Sequence, residues 1–149
     1  MSVVLMLMCH DDIGEAMLLS AENILGPPAT RIWNLPVAAE DSLESIEGRA
    51  RRMLERIHQP EGVLILTDLL GSTPCNVAVG LEELGQVRVV AGLNLPMLLR
   101  VMSHGGDDLP HLVDIALEGG AQGVLPGRPR PSEPARVIPL NKERKVGFG

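Results

Sequence analysis

The feature that most limits what this chain can fold into is its alternation of short apolar runs with longer amphipathic stretches. Val3-Val4-Leu5-Met6-Leu7-Met8-Cys9 and Val63-Leu64-Ile65-Leu66-Thr67 are the clearest of the runs. Such alternation is the sequence form of a parallel sheet whose strands are joined by crossover helices. It predicts strands near Val3 to Cys9, Arg31 to Val37, Gly62 to Thr67 and Gln86 to Ala91. Helices are predicted over Ile13 to Leu25, Ser42 to His58, Pro74 to Leu84, Pro96 to Ser103 and Pro110 to Gly119. The expected fold class is α/β: a single-domain, open, doubly wound, mainly parallel sheet with helices on both faces, in flavodoxin-like order.

Local chemistry supports several boundaries. Gly26-Pro27-Pro28 should end the first helix, since glycine permits a left-handed cap and proline cannot continue a helix. Thr73-Pro74 reads as a helix opening, with Thr73 as N-cap and Pro74 at the first helical position. After Gly123 the texture changes, with Pro126, Pro129, Pro131, Pro134 and Pro139 punctuating a basic, polar stretch. The expected division is one domain over residues 1–125 and a Pro-rich basic tail over 126–149, in which Ala135 to Leu140 has the character of an edge strand.

At 149 residues the chain fits one domain. Trp33 and Phe148 are its only aromatics besides histidine, so the core must be aliphatic and stacking on nucleic-acid bases is disfavoured. The net charge of −6 also argues against a large phosphate-backbone footprint. Cys9 and Cys75 form neither a disulfide framework nor a C-x-x-C pair. The opening residues show no basic leader, and no apolar run approaches the ~18 residues of a membrane span. A cytoplasmic protein is expected, with any membrane association coming through a partner.

His10 ends the first apolar run and Asp68 follows another. If the two runs are neighbouring parallel strands, both side chains emerge at the carboxyl edge, where open α/β sheets bind ligands. Imidazole attacks phosphorus at neutral pH when it is neutral and of the right tautomer. A carboxylate accepting a hydrogen bond from one ring nitrogen fixes that tautomer and leaves the other nitrogen free. The helix N-termini after His10 and at Thr73-Pro74 are natural sites for an anionic phosphoryl group. Gly71 and the Ser72 and Thr73 hydroxyls are the candidate phosphoryl-binding groups. No metal or other cofactor is called for, and His58, His104 and His111 have no metal-ligand spacing.

Taken singly, each piece has an ordinary alternative. His10 could be a packed or surface residue, Asp68 a strand terminator, Thr73-Pro74 only a cap, and Cys9 and Cys75 small buried hydrophobes.

Three ordered blocks together are more specific. They are Gly14-Glu15-Ala16 and Ala21 to Gly26 following the histidine, the loop Thr67-Asp68-Leu69-Leu70-Gly71-Ser72-Thr73-Pro74-Cys75-Asn76, and Ala91-Gly92-Leu93-Asn94-Leu95-Pro96-Met97-Leu98. Over residues 2–125 the chain resembles the mannose-type enzyme IIA domain of the phosphoenolpyruvate-dependent sugar phosphotransferase system. The resemblance implies phosphorylation of His10 on Nε2 by the phosphorylated histidine-containing phosphocarrier protein, transfer to a IIB component, and orientation of His10 by Asp68. It further implies a homodimer, sometimes with a strand exchanged between subunits, that reaches a membrane only indirectly through a permease complex. Pro74 and Asn76 favour this branch over the dihydroxyacetone-kinase phosphotransfer subunit, which usually carries Gly-Ser-Ala in the loop. Departures from the family pattern include Asp11 for a usual glycine, Ser72 for a frequent second glycine, Cys75 for a usual aromatic, and Cys9 for a usual threonine.

The reading is thus a phosphotransferase component in sugar uptake. One alternative is a regulatory module whose His10 phosphorylation state controls a partner without transport. Another is a fold relative using the cleft for a small anion, or Cys9 as a redox thiol.

Overall fold

Two strands that are apolar up to their last residue have to lie at the centre of the sheet, and they do. In the computed structural model, which describes residues 3–28, 31–58 and 61–128, β1 (Val4–His10) and β3 (Val63–Thr67) are adjacent and parallel. Their flanks are β2 (Ile32–Val37) and β4 (Val87–Ala91), giving the order β2-β1-β3-β4 with every pairing parallel. This is the flavodoxin-like order as far as the described strands go. The chain leaves β1 toward β2 on one side and returns to β3 on the other, so the topological switch point lies between β1 and β3.

Helices cover both faces. On one, α1 (Ile13–Leu25), α4 (Leu95–Met102) and α5 (Leu109–Gln122) pack over Leu5, Leu7, Leu64 and Leu66. On the other, α2 (Leu43–Ile57) and α3 (Thr73–Gly80) cover Met6, Met8 and Ile65. Strand residues therefore divide by parity between two aliphatic cores, as the pleat requires.

Boundaries mostly fall within a residue or two of those expected, and α1 ends where the Gly26 amide bonds the Glu22 carbonyl at 2.8 Å. Three details differ. The helix expected over Pro74 to Leu84 stops at Gly80 and tightens into a 3₁₀ turn over Leu81–Leu84. The N-cap of α3 is Ser72 rather than Thr73, because Ser72 Oγ accepts the Cys75 amide at 3.4 Å while donating to the Leu69 carbonyl at 2.7 Å. Helix α5 runs three residues past Gly119, to Gln122.

The third sequence block owes its pattern to packing. Asn94 caps α4 by accepting the Met97 amide at 2.9 Å, and its Nδ2 donates to the Gly120 carbonyl near the end of α5 at 3.0 Å. One side chain thereby satisfies an orphan donor of one helix and an orphan acceptor of the next. The tail beyond residue 128, including the strand expected over Ala135 to Leu140, lies outside the described residues.

Candidate active site

The register between β1 and β3 sets Met8 opposite Thr67, so His10 and Asp68 both lie just beyond the last paired residues at the carboxyl edge. They meet there. Asp68 Oδ2 lies 2.8 Å from His10 Nδ1 and also accepts the His10 backbone amide at 3.1 Å. One oxygen thus holds both the main chain and the ring of the same residue, which fixes the position and rotation of the imidazole together.

Burial on its own would push the Asp68 carboxyl up, but the bonds from the His10 ring and amide outweigh it and hold it below the usual aspartate range. The carboxylate is then ionised at neutral pH and only accepts, so Nδ1 must donate. In the neutral ring the lone pair is left on Nε2. Among the described residues Nε2 has no hydrogen-bond partner, and the His10 side chain is 39% exposed against 11% for Asp68. The second carboxylate oxygen, Oδ1, is buried and has no hydrogen-bond partner among the described residues.

The segment after His10 is unusual. Asp11 has φ 47°, in the left-handed region that favours glycine, and its amide bonds the Val37 carbonyl at 2.9 Å. The turn throws the chain directly into α1. Gly14 in the first turn lies so close to β2 that a Cβ there would collide with the Asn34 side chain, which explains a glycine in the first block.

Helix α1 also differs from its neighbours at the N-terminus. Asp12, its N-cap, makes no side-chain cap bond, whereas Ser42, Ser72, Asn94 and Asp108 cap α2 to α5. The uncapped amide end of α1 starts within three residues of the imidazole. On the other side, Gly71 (φ 81°) turns the loop into α3, and Thr73 is exposed with no hydrogen bond to its hydroxyl among the described residues. The Ser72 hydroxyl is already committed to the loop and to the cap.

The other sequence candidates fall apart from this site. Cys9 and Cys75 are buried and free. Burial, with the Asp68 charge adding to it, pushes the Cys9 thiol up to about 12, opposite to the low value a redox thiol needs. His104 Nδ1 contacts the Arg100 carbonyl at 2.7 Å, and His111 pairs with Asp107 at 3.3 Å. Asp108 of the acidic turn is a helix cap. Among the described residues no cluster of His, Cys, Asp and Glu is built to hold a metal ion, and no helix is long and apolar enough to cross a membrane. Two features escape sequence reasoning: the left-handed turn at Asp11, and Thr67 Oγ1, fully buried next to Asp68 and without a partner among the described residues.

A doubly wound parallel sheet with a carboxylate-oriented, half-exposed histidine at its switch point defines a class: α/β proteins that present one held imidazole at the carboxyl edge of the sheet. Within that class, residues 4–114 match the EIIA-man family, the PTS system fructose IIA component, and the chain belongs to that family. It is 30% identical over 142 residues to the PTS system mannose-specific EIIAB component of Escherichia coli strain K12, covering 93% of this chain and 44% of that protein. The chain thus spans about half the length of that relative. The PTS system fructose-specific EIIA component of Bacillus subtilis is 30% identical over 95 residues, 63% of this chain and 64% of that one. Among solved structures, the mannose/sorbose specific IIA subunit from Enterococcus faecalis superposes with a TM-score of 0.80 at 30% identity, over 87% of this chain and 98% of the other. The family is a phosphotransferase component, as the sequence resemblance implied.

Proposed function

We propose that this chain is a phosphohistidine carrier of a sugar phosphotransferase system. The Nε2 lone pair of His10 attacks the phosphorus of the phosphorylated histidine phosphocarrier protein. The new N–P bond forms as the donor N–P bond breaks, its electron pair returning to the donor imidazole. A second in-line transfer passes the group to a IIB component. No proton need leave Nε2, because Asp68 already keeps the ring proton on Nδ1, and the carboxylate stabilises the positive character the phosphorylated ring acquires.

The observation carrying this reading is the 2.8 Å contact between Nδ1 and Asp68 that leaves Nε2 facing solvent. Phosphoryl transfer is chiefly positioning and charge stabilisation, so a ring held at two points suits it. For the phosphoryl oxygens, the open amides of α1, the Gly71 turn and the Thr73 hydroxyl are the available donors. Ser72 contributes by shaping the loop, since its hydroxyl proton goes to Leu69. A cytoplasmic location and a homodimer belong to the same proposal, the latter open to sedimentation analysis.

Intact-mass analysis after incubation with phosphoenolpyruvate, enzyme I and the phosphocarrier protein tests it. One acid-labile phosphoryl adduct should form on the chain and be missing from His10→Ala. No adduct with competent donors would overturn the carrier reading.

A further inference from the structure

Helix α2 sets Arg49, Arg52 and Arg56 along one face, beside β2 at the edge of the sheet. Together with Trp33, Pro36 and Met53 they line an open groove of about 240 Å³. Arg31 adds a fourth cation by lying over the Trp33 ring, 4.4 Å from its centroid. Half of the eight Lys and Arg among the described residues therefore gather at one place on a chain of net charge −6. No carboxylate lines the groove. Arg49 is paired with Asp41 at 2.8 Å, whereas Arg31, Arg52 and Arg56 have no carboxylate partner among the described residues.

The geometry points to an occupant: we propose that this groove docks an extended acidic segment of a partner protein, laid along the outer edge of β2. Among the described residues no strand pairs with that edge, and an edge strand presents alternate unpaired backbone groups to an incoming chain. The spacing also fits. Residues 49 to 56 advance ~10 Å along the helix axis at about 1.5 Å per residue. An extended peptide repeats its side-chain direction every ~6.8 Å, so carboxylates at alternate positions fall within reach of successive guanidinium groups. Arginine suits such a site because its fork binds a carboxylate through two bonds. The chain's own tail is a poor occupant, since residues 126–149 carry six Lys and Arg against two Glu. The proposal does not depend on phosphotransfer at His10.

Trp33 is the only tryptophan and sits in the groove, so its fluorescence reports occupancy. The full chain is titrated with a short peptide of alternating glutamate and valine, with its glutamine analogue, and with a single-stranded oligonucleotide. Calorimetry runs in parallel to detect binding that leaves the indole unperturbed. The glutamate peptide should bind saturably and more weakly as salt rises, with the glutamine analogue inert. In Arg52→Glu/Arg56→Glu, both sites being exposed, affinity should fall by at least about tenfold, the effect of losing one charge-assisted contact. Arg52→Gln/Arg56→Gln should fall between, and circular dichroism verifies that both variants fold. The proposal fails if neither method detects the glutamate peptide, if the charge-reversed variant binds it equally well, if the oligonucleotide binds more tightly, or if the fluorescence follows protein concentration alone and so reports a second copy.

Discussion

Replacing Asp68 by asparagine should slow phosphorylation of His10 only moderately, and the reason lies in how one oxygen is shared. An amide in place of a carboxylate can offer either its oxygen or its NH2 to Nδ1. The NH2 orientation would force the ring proton onto Nε2 and remove the nucleophilic lone pair. Here, however, the atom facing Nδ1 also faces the His10 amide, 3.1 Å away. Turning the NH2 inward would set donor against donor at the backbone and forfeit that bond as well, a cost of about 1 kcal/mol or more. The substituted amide is therefore held with its oxygen inward and the tautomer survives. What disappears is charge assistance on the ring bond. Charged hydrogen bonds contribute ~1.5–3 kcal/mol against ~0.5–1.5 for neutral ones, a difference of about 1–1.5 kcal/mol. His10 is 39% exposed, so solvent screening puts the effect at or below the lower end of that range. At 1.36 kcal/mol per decade, about 1 kcal/mol or less is at most roughly a fivefold loss of rate. Asp68→Ala, which frees ring and amide together, should lose at least another order of magnitude. Rapid-quench kinetics of phosphoryl uptake from purified phosphorylated phosphocarrier protein, read by intact mass, measures both. A thousandfold loss in Asp68→Asn, or equal rates for the two substitutions, would refute the shared-oxygen argument.

Further expectations follow from the same structure. Because the folded Asp68 carboxyl lies below its unfolded value, its contribution to stability is fully present above the ordinary aspartate pKa of about 3.9 and is lost as pH falls through the folded value. Urea melts of Asp68→Asn should accordingly show a flatter pH dependence than the parent in that acid window, and parallel curves would contradict the depressed carboxyl. Cys9 and Cys75 should resist a thiol reagent at mildly alkaline pH while the chain is folded and react together on denaturation, as a colorimetric thiol count will show. Asn94→Ala removes a cap worth ~1 kcal/mol and leaves the Gly120 carbonyl without its partner, a further ~1–2 kcal/mol, so thermal unfolding should fall by several degrees. Asn94→Ser retains the cap and lacks the bridge, so it should recover about a third to a half of that loss; full recovery would show that the bridge from α4 to α5 is not an operative contact.

The strands were legible because a run such as Leu64-Ile65-Leu66 must be covered on both faces, and helices around it are the economical cover. His10 and Asp68 were legible because parallel strands deliver their last residues to one edge. The sequence was less informative where competing local options are nearly equal in energy. Ser72 and Thr73 both precede Pro74 and both can cap; Ser72 prevails because its hydroxyl also closes the turn onto Leu69. Asp11 carries no mark of its left-handed backbone, which arises from the demand to turn sharply from β1 into α1. The arginine groove went unread in the sequence: the spacing of residues 49, 52 and 56 defines a helix stripe, but its closeness to Trp33 depends on how α2 lies against β2.

The dihedral at Asp11 also bears on how the charge beside the imidazole can drift over evolutionary time. A backbone held at φ 47° filters substitutions before any selection on chemistry begins, passing glycine, asparagine, aspartate and histidine, the last seen at His58 with φ 44°, far more readily than β-branched or bulky residues. The permitted set contains one anion, and its only basic member is an imidazole, a cation only when protonated. A lineage can therefore remove the negative charge beside the ring in a single step, by asparagine or glycine, without reshaping the turn.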